Sequence, residues 1–240
     1  MFPSVPRLYN KIYGSLKAAS AATGKTNFAA LIGGKVRYCV TGSAPIDASV
    51  LDFLKVAFDC PIIEGYGLTE VSGGVSFTNK NDPLTGHIGG PTRSQKFRLA
   101  DVPEMNYLST DAPYPRGELC IKGETVFCGY FKREDKTKEA FDADGWFRTG
   151  DVAIMYPNGS FKIIDRVKNI FKLSQGEYIA PEKIEGVFVL CPYVAQSLVY
   201  GDSFKSCAVA VIVPNEEKVK QWATKTGKSQ KNNIFRTRRL

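Results

Sequence analysis

Histidine is almost missing. The 240 residues hold one, His87, so neither a histidine-built metal centre nor an imidazole relay can be assembled from this chain. No CxxC pair occurs among the six cysteines, Cys39, Cys60, Cys120, Cys128, Cys191 and Cys207; scattered and mostly in apolar runs, they exclude a disulfide scaffold and a zinc ribbon and read as buried free thiols in a reducing compartment. No apolar run is long enough to cross a bilayer, and Met1 to Pro6 has no signal-peptide core, so the expectation is a soluble or peripheral chain. Acidic residues are outnumbered 24 to 32, but six of the eight surplus charges, Lys225, Lys228, Lys231, Arg236, Arg238 and Arg239, lie in a terminal stretch without Asp or Glu. The near-neutral body has no basic stripe interleaved with aromatics, which excludes a nucleic-acid partner. At 43% hydrophobic and 23% charged the chain is globular and large enough for one domain and part of another.

What is present reads as α/β. Arg7 to Ala22 places Leu8, Ile12 and Leu16 at helical spacing, and Gly24 to Asn27 breaks the helix. Lys35 to Thr41 reads as a buried strand, Gly42-Ser43-Ala44-Pro45 as a turn, and Asp47 to Phe58 as a helix capped by Asp47 with Val50, Leu51, Leu54, Ala57 and Phe58 on one face. Pro61 to Glu64 reads as a second strand and Gly65 to Glu70 as a second glycine-bearing loop. If the two strands are parallel neighbours, both loops leave the same carboxyl edge of the sheet, where open α/β folds bind ligands. From Gly86 short strands take over. Val152 to Tyr156, the turn Pro157-Asn158-Gly159 and Ser160 to Ile164 form a hairpin whose open end brings Thr149-Gly150-Asp151 beside Asp165-Arg166. Beyond Arg166 come a charged connector, a loop at Ser174 to Glu177, a helix opened by Pro181, strands at Val194 to Tyr200 and Cys207 to Val213, and a helix from Asn215.

Two clusters carry chemistry. Gly65 and Gly67 let a flat ligand approach the backbone, Tyr66 offers a ring, Thr69 a hydroxyl and Glu70 a hard oxygen for Mg²⁺; the same letters also suit a surface turn. Asp151 and Arg166 suit a ribose, the carboxylate accepting from two vicinal hydroxyls; they equally suit a salt bridge at a hairpin mouth. His87, in Gly86-His87-Ile88-Gly89, reads as fixing a turn, and Trp146 as packing.

In their order these blocks resemble the AMP-forming adenylating enzymes, most closely the long-chain fatty acyl-CoA synthetases. The resemblance rests on Thr41-Gly42-Ser43-Ala44-Pro45-Ile46, Glu64 to Glu70, Val102 to Tyr107 and above all the run from Asp144 through Thr149-Gly150-Asp151, Asp165-Arg166 and Gln175-Gly176-Glu177 to Glu185. It implies that Tyr66 stacks on adenine within a pocket formed with Gly65 and Gly67 and walled by Gly42, Ser43, Ala44 and Pro45, that Thr69 contacts the α-phosphate, that Glu70 holds Mg²⁺, and that Asp151 and Arg166 hold the ribose. It further implies a hinge at Lys168 and a loop at Gly176 that lines a channel for coenzyme A. The implied chemistry is ATP-dependent: a fatty acid attacks the α-phosphate, pyrophosphate leaves, and the CoA thiol then displaces AMP from the acyl-adenylate.

The implied layout is a large-domain remnant over 1–164, with a parallel sheet and a small β-hairpin or barrel subdomain, a hinge over 165–170, and a truncated α+β domain over 171–240 with a disordered basic tail over 225–240. The family's phosphate-cradling loop and its late adenylation lysine have no counterpart here, so the isolated chain is expected to be weakly active or inactive. Val71 and Val167 replace a hydroxyl and a basic residue usual in the family. The resemblance implies an intracellular parent enzyme on a cytosolic face, with peripheral association at the endoplasmic reticulum or another organelle membrane. Ligation of another carboxylate, or nucleotide binding without catalysis, are the alternatives.

Overall fold

The computed structural model describes residues 1–167, 171–175, 177–202 and 204–227. Internal contacts divide the chain into two compact units, Met1–Ile170 and Phe171–Leu240.

In the first unit β1 (Phe2–Ser4) leads into α1 (Pro6–Thr23). Pro6 opens α1 where a missing N–H is tolerated, and Gly24 ends it in the left-handed conformation (φ 71°), donating to Ser20 O at 2.8 Å. The inward stripe is Tyr9, Ile12, Tyr13 and Leu16. Leu8, expected on that stripe, is 42% exposed, because steps of four residues overshoot the 3.6-residue turn and leave it at the margin, about 100° round the helix from Tyr9. Then β2 (Cys39–Thr41), α2 (Ala48–Phe58) and β3 (Ile62–Leu68) make the expected strand-helix-strand unit. Asp47 caps α2 by accepting from Ser49 N at 2.8 Å, and the five apolar residues read onto its inner face are all buried. β1, β2 and β3 are parallel, with Thr41 opposite Glu64, and α1 and α2 close a core over them.

Two corrections concern this sheet. β2 is shorter than the Lys35 to Thr41 strand expected, and β3 is longer, absorbing Gly65 to Leu68, which were expected as loop. β4 (Gly73–Phe77) returns antiparallel along that extension and β5 (Gly90–Pro91) pairs with β4, so the sheet is mixed. The glycines permit the pairing: a Cβ on Gly67 would lie 1.8 Å from Gly73 O.

The second sheet is antiparallel in the order β6 (Gln95–Ala100), β7 (Arg116–Gly123), β8 (Phe147–Met155), β9 (Phe161–Arg166), with α3 (Glu134–Ala140) between β7 and β8. The β8–β9 hairpin turns at Pro157-Asn158-Gly159 as expected, Asn158 Oδ1 accepting from Ser160 N at 3.0 Å. Among the described residues β6 and β9 do not pair, so this subdomain is an open sheet and not a barrel. Its core joins Val71, Val75, Leu119, Ile121, Phe147, Ala153 and Phe161. β3 serves both cores, Ile62 in the first and Tyr66 and Leu68 against the second.

The second unit holds β10 (Phe171–Lys172), β11 (Tyr178–Ile179), α4 (Pro181–Phe188), β12 (Val194–Tyr200), β13 (Val209–Pro214) and α5 (Glu216–Lys225). Pro181 opens α4, and Asn215 caps α5 by accepting from Lys218 N at 3.2 Å. Lys225, read as part of the tail, ends α5; residues 228–240 lie outside the described residues. Leu198, Tyr200, Val209, Val211 and Val213 share an exposed face of the β12–β13 pair.

All six cysteines are free, but only Cys39, Cys60 and Cys120 are buried; Cys128, Cys191 and Cys207 are exposed, against the expectation. Among the described residues no helix is long and apolar enough to cross a membrane.

Candidate functional site

Asp151 and Arg166 are direct partners across β8 and β9. Arg166 Nε lies 3.1 Å from Asp151 Oδ1, and the Tyr66 hydroxyl donates to Asp151 Oδ2 at 2.6 Å. A carboxylate side chain only 9% exposed needs such donors, because burying an unpaired charge is costly. β3 and β8 belong to different sheets, and Tyr66 reaches Asp151 because its ring packs against the core they share. Burial, with the charge of Asp151 second, pushes the Tyr66 phenol well above its ordinary value, so it remains a donor.

The stretch of β8 before Asp151 is held by β7 and by its own side chains. Glu118 on β7, 4% exposed, accepts from Gly150 N at 3.0 Å through Oε1 and from Arg148 Nε at 2.9 Å through Oε2. Thr149 Oγ1 donates to Leu119 O at 2.7 Å and accepts from Asp151 N at 3.0 Å. Gly150 takes a φ of 75°, and its carbonyl accepts from Val167 N at 2.7 Å. At the other arm of the hairpin, Tyr107 donates to Asp165 Oδ2 at 2.9 Å, which ties the Val102 to Tyr107 block to the same mouth.

Glu70 follows β3 in the short 3-10 turn Thr69–Val71, where Thr69 is exposed and Val71 enters the second core. Its Oε1 accepts from the Tyr130 hydroxyl at 2.8 Å. Leu68, Glu70, Glu118, Tyr130, Arg148, Thr149, Gly150 and Arg166 line one cleft of about 710 Å³. Among the described residues no three His, Cys, Asp or Glu side chains gather to hold a metal, so a cation at Glu70 would complete its shell with phosphate oxygens and water, the usual habit of Mg²⁺.

Gly42 to Pro45 follow β2 beside Gly65: a Cβ on Gly42 would lie 2.7 Å from Gly65 O. The structure therefore sets Gly42 beside Gly65, joins Tyr66 and Arg166 at Asp151, and places Glu70 and Arg166 on one cleft. Lys168 and Gly176 lie outside the described residues.

Sequence reasoning missed Glu118, Arg148 and Tyr130. Arg148 stands beside Thr149 in the motif, so its carboxylate partner was open to search; no local signal marks Tyr130. His87 does fix a turn, its Nδ1 accepting from Gly89 N at 3.0 Å, and Asp82 Oδ2 is 3.3 Å from its Nε2, an acid that the sequence reading did not credit. Trp146 lies beneath the Arg98 guanidinium at 4.7 Å.

A family model described as AMP-binding enzyme matches residues 1–131. A peroxisomal relative, long chain acyl-CoA synthetase 7 of Arabidopsis thaliana, is 43% identical over 259 aligned residues that cover 95% of this chain and 37% of the relative. Long-chain-fatty-acid–CoA ligase 1 of Homo sapiens is 48% identical over 196, covering 82% of this chain and 28% of the relative. The chain thus spans well under half the length of these curated relatives. Among solved structures, the A domain of a carboxylic acid reductase from Segniliparus rugosus, in complex with AMP and a co-purified carboxylic acid, aligns with a TM-score of 0.78 at 36% identity over 92% of this chain and 35% of that one.

Proposed function

The chain belongs to the AMP-binding enzyme family, and from that membership we propose that it is the nucleotide-holding part of a long-chain fatty acid–CoA ligase. The observation that carries the reading is the convergence of Tyr66, Asp151 and Arg166 beside the cleft that Glu70 lines. The relatives named as long-chain synthetases supply the substrate class.

In this reading Asp151 accepts from the ribose hydroxyls while Arg166 and Tyr66 hold its orientation, and Gly42 to Pro45 wall the base. The ring of Tyr66 meets the adenine, and its hydroxyl stays on Asp151. Thr69 contacts the α-phosphate. Glu70 holds Mg²⁺, which would offset charge on the phosphate oxygens. A fatty acid carboxylate attacks the α-phosphorus, pyrophosphate carries away the electron pair of the broken bond, and the CoA thiol later displaces AMP. Lys168 acts as the pivot between the two half-reactions, and Gly176 borders the path of CoA.

Calorimetric titration with AMP tests the site. Asp151→Ala removes a charged acceptor and should weaken AMP binding by about 2 kcal/mol or more; an affinity equal to that of the unaltered chain overturns the assignment. For the whole protein, pyrophosphate release with palmitate but not with an aromatic acid is the expected substrate signature, and the reverse preference would transfer the ligase to another carboxylate. Residence at an organelle membrane is part of the same proposal and is checked by cell fractionation.

A further inference from the structure

Glu70 is held at both its main chain and its side chain by one segment, the connection from β7 to α3. Phe127 N donates to Glu70 O at 2.8 Å, and the Tyr130 hydroxyl donates to Glu70 Oε1 at 2.8 Å. The next turn is tied to the same segment, Ser72 Oγ donating to Thr125 O at 2.9 Å. The segment is itself anchored. Tyr130 N donates to Thr137 Oγ1 at 2.9 Å, and that hydroxyl donates on to Arg133 O. The Tyr130 ring meets Phe127 edge-on at 4.9 Å, and Phe127 in turn packs against Phe141 and Phe147 of the second core. Gly129, at φ 145°, leaves the room that Thr137 needs, since a Cβ there would fall 2.6 Å from Thr137 Cγ2.

A tyrosine tied down at its amide and its ring is not an incidental surface partner. Its hydroxyl occupies one carboxylate oxygen of Glu70, and among the described residues no donor takes the other and no Lys, Arg or His pairs with it. The carboxylate is thus oriented but not neutralised, on the wall of a cleft large enough for a nucleotide phosphate.

We propose that Tyr130 is a positioning residue for the cation-binding carboxylate: it holds Oε1 of Glu70 and thereby presents the second oxygen to a divalent cation that accompanies a nucleoside triphosphate. The inference rests on the reading of the cleft as a nucleotide site. The opposite role, a hydroxyl that competes with the cation, predicts the opposite sign.

Mn²⁺ is the probe, its free concentration followed by electron paramagnetic resonance on the full chain in the presence of ATP. Tyr130→Phe keeps the ring on Phe127 and removes only the hydroxyl; it should weaken Mn²⁺ uptake about tenfold, the worth of one hydrogen bond to a charged group. Metal-free AMP affinity should not change, a split that a general loss of structure would not produce. Thr137→Val, which loosens the anchor and spares the hydroxyl, should give a smaller loss of the same sign. Uptake that is unchanged or tighter in Tyr130→Phe, with Glu70→Gln weakened, overturns the role of Tyr130 and leaves the nucleotide site standing. Uptake unchanged in Glu70→Gln, or no uptake with ATP by the unaltered chain, overturns the cleft reading and the inference with it.

Discussion

Among single residues the most informative lies under the site and not in it. Glu64, the residue before Gly65, accepts from Gly86 N at 2.7 Å and ties the loop before β5 to β3. Burial pushes its carboxyl up to about 7; the Gly86 N–H and the charge of Lys55 pull the other way and lose. Because the folded value exceeds the unfolded one, the folded state binds the extra proton between the two. The stability from this group is complete below the unfolded pKa of about 4.5 and is lost as pH rises through about 7. Glu64→Gln keeps an acceptor for Gly86 and removes the titration. Denaturant melts should show the variant gaining on the wild type by up to about 3 kcal/mol between pH 4.5 and 8; a constant difference across that range would exclude Glu64 as the titrating group. Nothing local in the sequence announces this carboxyl, since burial comes from elements distant along the chain.

At the scale of elements, the decisive event is the extension of β3 through Gly65 to Leu68. Two glycines in four residues read as loop by propensity, yet the backbone pairs with β4, with a register shift between Tyr66 and Gly67 that re-aims the chain. Tertiary context wins because β4 approaches so closely that only hydrogen fits on Gly67. Gly67→Ala should therefore cost about 3 kcal/mol or more, since backbone and not a flexible side chain must give way. Gly24→Ala, at φ 71° in open space, should cost about 1 kcal/mol. Thermal melts of the pair check the ranking, and equal losses would count against the strand pairing. Helices α2 and α5 were legible to within a residue at their starts because Asp47 and Asn215 signal their caps locally.

At the scale of the molecule, two compact units meet in sequence at Ile170 and Phe171, close to the connector assigned to 165–170. In the ligase reading Lys168 is the pivot, so Lys168→Pro in the whole protein should spare pyrophosphate release and slow thioester formation by about tenfold or more. Stopped assays of the two half-reactions separate these, and equal loss of both would remove the pivot. The second unit, with its exposed apolar sheet face, was legible as α+β from Pro181, the two strands and Asn215.

The sequence by itself determined the inner face of α2, the starts of α2, α4 and α5, the β8–β9 hairpin and thereby the pairing of Asp151 with Arg166, because turn chemistry and side-chain spacing act over a few residues. Only the tertiary structure decided that Tyr66 donates to Asp151, that Glu118 holds the stretch of β8 just before Asp151, that Tyr130 holds Glu70, and that the second sheet stays open. Those contacts join residues from 32 to 85 positions apart, and such distances are closed by the packing of two hydrophobic cores, not by any local preference of the chain.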